Sequence, residues 1–200
     1  MTVGLDPNPS AHFASQAPGA FQVEGLADAL PFADGSFDLV FSENVLLWVP
    51  QLGPALAEVS RVLKAEGALV ALEPDYGGML EWPDLGLREL WLEALRRAGA
   101  DPLVGRKLPG ALEKLGLQVW FELQGIPQPA RGDAARLLLG LPLSEDERAR
   151  VEEAARAVDS GRGTWEYVLH VPYVLVVATR RSSDGGLSTP GTPPVPVRDC

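Results

Sequence analysis

The stretch ALPFADGSFDLVFSENVLLWV, Ala29 to Val49, decides how this chain is read. Its opening carries the turn residues Asp34 and Gly35, and the apolar run from Phe37 to Phe41 that follows predicts a short strand. The run stops on Ser42-Glu43-Asn44, and apolar sequence resumes at once. A buried strand that ends on three polar residues, rather than on an ordinary turn, raises the question of what binds at that end.

Outward from this stretch, short apolar runs alternate with longer segments of helical period, which is the pattern of an α/β sheet protein. Upstream, strands are expected at Val3 to Leu5, ending on Asp6, and at Phe21 to Glu24. Downstream, Leu52, Leu56, Val59 and Leu63 lie on one helix face, with Gly67 just past the end. The continuous apolar run Ala68 to Leu72 suits a strand covered on both faces and leads into Glu73-Pro74-Asp75-Tyr76-Gly77-Gly78. Asp84 is expected to cap a helix, Pro109 to start another, and Leu117 to Leu123 to form a strand. Ser144 with Glu147 forms a capping box before a helix to about Val158, and Tyr173 to Thr179 is the last strong strand.

Composition limits the function classes. At 200 residues and 46% hydrophobic content the chain can hold one sizeable core, with no run long enough to span a bilayer. A formal charge of -10 with no basic cluster beyond paired arginines argues against nucleic acid as a partner. Cys200 is the sole cysteine, and His12 and His170 lie far apart, so neither a disulfide nor a metal site is expected. The N-terminal segment has no secretory pattern, so a cytoplasmic location and no membrane partner are expected.

The strand ends share a chemistry. Asp6 follows one strand, Ser42-Glu43-Asn44 a second, and Glu73-Pro74-Asp75-Tyr76 a third. In a parallel sheet these would all be carboxyl ends lining one crevice. Each position also has an ordinary use as a helix cap or turn former, so the combination carries the argument.

The runs GLADALPFADGSFDLVFSENVLLWV and ALAEVSRVLKAEGALVALEPD resemble the middle of the class I S-adenosylmethionine-dependent methyltransferases, in the group related to quinone-biosynthesis enzymes. The likeness extends over roughly Val3 to Arg181. It implies a Rossmann-like three-layer αβα sandwich with a mostly parallel sheet over residues 1–181, followed by a disordered Ser/Gly/Thr/Pro-rich tail at 182–200. It implies S-adenosylmethionine as cofactor and a small-molecule acceptor.

Carried over position by position, the resemblance makes Asp6 the acid that accepts from the ribose hydroxyls. Leu26 stands where relatives often place an acid beside the adenine, so Ala27 backbone, Leu26 packing or the Asp28 carboxylate must serve there. Ser42 falls beneath the methionine moiety. Glu43, Asn44, Glu73, Asp75, Tyr76 and Arg106 are candidates for the acceptor side, the last within Gly105-Arg106-Lys107-Leu108-Pro109, similar to a lid segment of some relatives. Tyr76 and Trp82 are equally readable as packing, and Arg106 as the partner of an acid. No residue is assigned as base, although Glu43, Glu73 or Asp75 could take a proton, and His12 only if the N-terminal segment folds inward. His170 reads as a packed histidine at the start of the last strand.

The family opens with a strand and a G-x-G-x-G turn, and this sequence begins at the second family strand. That leaves the sheet incomplete at its N-terminal side, with two uncovered strand edges. A start recorded too far downstream is preferred over a closed-up sheet or a degenerate relative. The alternative to an enzyme is a non-catalytic module that binds partners or forms a homodimer through those edges. A nicotinamide dehydrogenase would need the same glycine turn and does not match LPFADGSFDLVFS.

Overall fold

The computed structural model describes residues 2–8 and 20–180. His12, Cys200 and the 182–200 segment lie outside the described residues. Eight strands are present in this range: β1 (Thr2–Asp6), β2 (Ala20–Glu24), β3 (Phe37–Glu43), β4 (Leu63–Pro74), β5 (Leu80–Trp82), β6 (Leu117–Gln124), β7 (Val168–His170) and β8 (Tyr173–Arg180). Helices are α1 (Leu52–Val62), α2 (Leu87–Arg97), α3 (Val104–Lys114), α4 (Gly132–Arg136) and α5 (Glu145–Ser160).

The sheet is mixed. β3 and β4 run parallel, β8 lies antiparallel between β4 and β6, and the strand order is β3-β4-β8-β6. β1 and β2 form a separate parallel pair, and β5 and β7 a small antiparallel one. Among the described residues no ladder joins β1 to β3, so the sheet is divided at the place where the resemblance puts a further strand. The two neighbouring strands have not closed up on each other.

Side-chain alternation divides the faces of the larger sheet. Leu69 and Ala71 of β4 and Val174, Val176 and Ala178 of β8 are buried in one core with Leu56 and Val59 of α1 and Leu108 and Leu112 of α3. Leu39 and Phe41 of β3 point to the opposite side and are 56% and 61% exposed.

Several boundaries differ from the sequence expectation, each for a local reason. Strand β4 follows α1 without a gap, so Gly67 lies inside a strand, where a Cβ would come within 2.9 Å of the Phe37 carbonyl. Helix α2 begins after Gly86, and its free N–H groups at Leu87 and Arg88 are taken by Glu81, while Asp84 only closes a turn onto Gly86 N. Helix α3 runs through Pro109 instead of starting at it. An interior proline costs about 3 kcal/mol. Burying Val104, Leu108 and Leu112 returns roughly 1.5–3 kcal/mol each, and all three have no exposure, so packing wins. His170 ends β7, pairing with Leu80, and does not start the last strand. The Ser144 capping box on α5 is present as expected.

The connection from β2 to β3 is fastened to α1 by Arg61. Its guanidinium donates to the Leu30 and Phe32 carbonyls and to Asp34 and Glu58, and Glu58 in turn accepts from Leu30 N. Arg61→Ala is expected to release this connection: limited proteolysis between Leu30 and Ser36 should speed up several-fold, with cleavage elsewhere unchanged.

Candidate functional site

The predicted site residues fall into three groups that the fold positions separately. The first is built by β1–β2 pairing, which sets Asp6 opposite Glu24 and brings Gly25 N to the Asp6 carbonyl at 3.2 Å. The Asp6 carboxylate accepts from Asn8 N through Oδ1 at 2.6 Å, and its other oxygen has no hydrogen bond among the described residues. Leu26 to Ala29 closes a tight turn in which Ala29 N donates to the Leu26 carbonyl, leaving the Leu26 side chain 56% exposed. Asp28, half-buried in the same turn, likewise makes no side-chain hydrogen bond among the described residues. This unit therefore offers two carboxylates with open acceptor oxygens beside an exposed apolar side chain.

The second group joins the ends of β3, β4 and β8. Ser42 and Glu43 are strand residues paired with Ala71 and Leu72. Glu73 is wholly buried. Its Oε1 accepts from Ser42 Oγ at 2.9 Å, Val45 N at 3.1 Å and Leu46 N at 2.9 Å, and Oε2 from Leu47 N at 3.4 Å. Expected on the acceptor side, Glu73 instead points inward to the short 3-10 turn Leu46–Trp48. Burial pushes its carboxyl above the usual glutamate range, against the pull of the N–H groups and Ser42. Between these anchored residues, Asn44 holds φ 55°, the left-handed region, and is the one non-glycine residue to do so among those described.

The third group follows β4. Asp75, 7% exposed, takes both Nε and Nη2 of Arg106 at 2.8 Å, so Arg106 is paired with an acid. The guanidinium lies over Gly77, where a Cβ would come within 2.6 Å of Nη2. Tyr76 stacks on Trp91 at 5.0 Å, and burial together with Tyr173 pushes its phenol up to about 12.

Tyr173 escaped the sequence reading. Because β8 is antiparallel, its first residue arrives where β4 finishes, opposite Pro74. Burial raises its phenol, Asn44 lowers it, and Glu43 and Glu73 raise it further. The signal available was the tyrosine directly after Pro172 at the start of a strand, which carries site meaning only once the strand's direction is known. No group of metal-ligating side chains occurs among the described residues. The larger cavity, about 560 Å³, lies between α1 and α3 near Leu52, Leu56 and Ala111, away from these strand ends. A second, about 350 Å³, borders Gly77, Gly78, Glu81 and Arg88.

A methyltransferase domain family matches residues 1–71. An uncharacterised methyltransferase of Synechocystis is 35% identical over 123 residues, which is 58% of this chain and 56% of the relative. These matches, each over part of the chain, support a class I S-adenosylmethionine-dependent methyltransferase. S-adenosylmethionine is the cofactor that goes with this family. Escherichia coli YafE, an uncharacterised protein, is 38% identical over 76 residues, 36% of this chain and 34% of the relative. The chain thus spans between about a third and just over a half of these relatives' lengths. In fold it is similar to YcgJ of Bacillus subtilis, with a TM-score of 0.61 at 17% identity, covering 90% of this chain and 82% of the other. The fold is Rossmann-like.

The raised Glu73 carboxyl has a stability consequence with a definite sign. The folded chain holds this proton at higher pH than the unfolded chain, so what Glu73 adds to stability is greatest below pH 4.5 and is lost as pH rises through the folded value. In urea unfolding across that range, the wild-type chain should lose stability relative to Glu73→Gln as pH increases. A difference that grows in the wild type's favour would contradict the burial-dominated shift.

Proposed function

We propose that the chain binds S-adenosylmethionine across the ends of β1, β2 and β3 and serves methyl transfer to a small-molecule acceptor in the cytoplasm. The observation that carries this reading is the pair of open carboxylates, Asp6 and Asp28, set beside the exposed Leu26 by the β1–β2 unit. Asp6 is suited to accept from ribose hydroxyls, Asp28 from the exocyclic amine of adenine, and Leu26 to lie against the ring. The Ala27 backbone completes the turn, and Ser42, its hydroxyl committed to Glu73, forms the floor next to the methionine moiety.

The sulfonium supplies an activated methyl when bound, so the chain's own work is to position and to exclude water. Of the three acids considered for taking a proton, Glu73 is saturated and Asp75 is held by Arg106. Glu43 alone has an exposed carboxylate with no hydrogen bond among the described residues. Asn44, Tyr76 and Tyr173 face the acceptor side in this reading, and Arg106 is held near it by Asp75.

A second reading, a non-catalytic module that binds or dimerises, is favoured by the divided sheet and by the exposed Leu39 and Phe41 beside a β3 edge that has no partner strand among the described residues. Isothermal calorimetry with S-adenosylhomocysteine separates the two. Under the first reading the chain binds in the micromolar range and Asp6→Ala weakens binding roughly ten- to hundredfold. Absence of heat, with a dimer in sedimentation, would overturn it in favour of the second.

A further inference from the structure

We infer that Glu73 is a positioning residue whose buried carboxylate holds the Ser42–Leu47 turn in the shape that the crevice floor requires. The inference rests on the proposed placement of that turn beneath the cofactor, and it extends to a residue that touches neither cofactor nor acceptor.

Three observations point the same way. First, the carboxylate is the common partner of four donors from a single turn: Ser42 Oγ and the N–H groups of Val45, Leu46 and Leu47. The carbonyls of the last three residues are taken elsewhere: Trp48 N donates to Val45 O, Val49 N to Leu46 O and Asp101 N to Leu47 O. Among the described residues the three N–H groups have no other acceptor, so without Glu73 they would stand unpaired there against a buried Leu46 and Leu47.

Second, Asn44 sits between Ser42 and Val45, both bound by the same carboxylate oxygen, and its own N–H donates to Leu72 O at 3.1 Å. Asparagine enters the left-handed region more readily than other non-glycine residues, and it is held there when its neighbours are fixed. Here the flanking residues are pinned on both sides.

Third, an apolar residue would fill the same space without the desolvation penalty of a buried charge, which makes an enclosed carboxylate a poor choice for stability alone. What a carboxylate does that an apolar side chain cannot is gather several donors at one point. The turn that it gathers begins on the residue that the cofactor reading places under the methionine moiety.

Two variants grade the interaction. Glu73→Gln keeps one oxygen to accept but is neutral, and Glu73→Leu keeps the approximate volume and accepts nothing. Site-resolved amide exchange is expected to be slow at Val45, Leu46 and Leu47 in the wild type, about tenfold faster in the Gln variant and faster again in the Leu variant. Amides of the β4–β8 ladder, such as Val70 and Val177, should keep their protection in the Gln variant. Calorimetry with S-adenosylhomocysteine should weaken in the same order, with Gln restoring part of what Leu loses.

Unchanged protection at the three amides in Glu73→Gln would overturn the inference, as would a loss spread evenly over β4 and β8. If Glu73→Leu does not fold, the Gln comparison decides. A wild-type chain that gives no heat with S-adenosylhomocysteine counts against the proposed function, while the exchange pattern still decides what Glu73 holds.

Discussion

One enclosed carboxylate ties the end of β4 to the exit of β3. Taking a carboxylate out of water costs several kcal/mol even after relaxation. Hydrogen bonds to a charged group return about 1.5–3 kcal/mol each. Glu73 collects four, so cost and return are of the same size, and burial is the largest influence on its carboxyl, which it pushes upward. The outcome is an anchor that adds little to stability but fixes geometry. Ser42, Asn44 and the start of the Leu46–Trp48 turn are set by it, and through Pro74 the same strand end meets Tyr173.

Around that anchor stand the four-stranded sheet and the separate β1–β2 pair, with β5–β7 as a small third piece. The four-stranded part has its core against α1 and α3, and the β1–β2 unit with the turn after it holds Asp6 and Asp28, the carboxylates proposed to face the nucleoside. Linking them among the described residues are a polar clasp, in which Arg61 and Glu58 of α1 grip the backbone of Leu30 and Phe32, and the packing of Leu30 on the core and of Phe32 on Phe37. A parallel sheet ordinarily buries both faces and leaves no central edge unpaired. Among the described residues β3 ends the four-stranded sheet, with Leu39 and Phe41 turned to solvent beside its outer edge. Methyltransferase function and the module reading differ in what they ask of this edge.

Much of the fold was legible because local signals and tertiary packing agree. The Phe37 to Phe41 run, the helix face through Leu56 and Val59, and the Ser144–Glu147 capping box each mark an element that the structure contains. Local signals failed where packing or a distant side chain overrode them. Pro109 lies inside a helix held by Leu108 and Leu112, and α2 takes its cap from Glu81 across the Trp82–Leu85 turn. At the site, the polar strand ends were readable as a set, but sequence alone gives no side-chain direction. Glu73 and Asp75 are two residues apart and both acidic, yet one gathers a turn and the other clamps an arginine. Tyr173 became visible only with the antiparallel direction of β8.

The proposed cofactor crevice lies across the ends of β1, β2 and β3, with the Glu73-anchored turn as its floor. Titration of isotope-labelled chain with S-adenosylhomocysteine, followed by amide chemical shifts, tests this most directly. The largest shifts are expected at Asp6, Leu26, Ala27, Asp28 and Ser42, extending to Val45 and Leu46. Shifts confined to Leu52, Gly53 and Ala111, around the cavity between α1 and α3, would contradict it, as would no shift at saturating ligand.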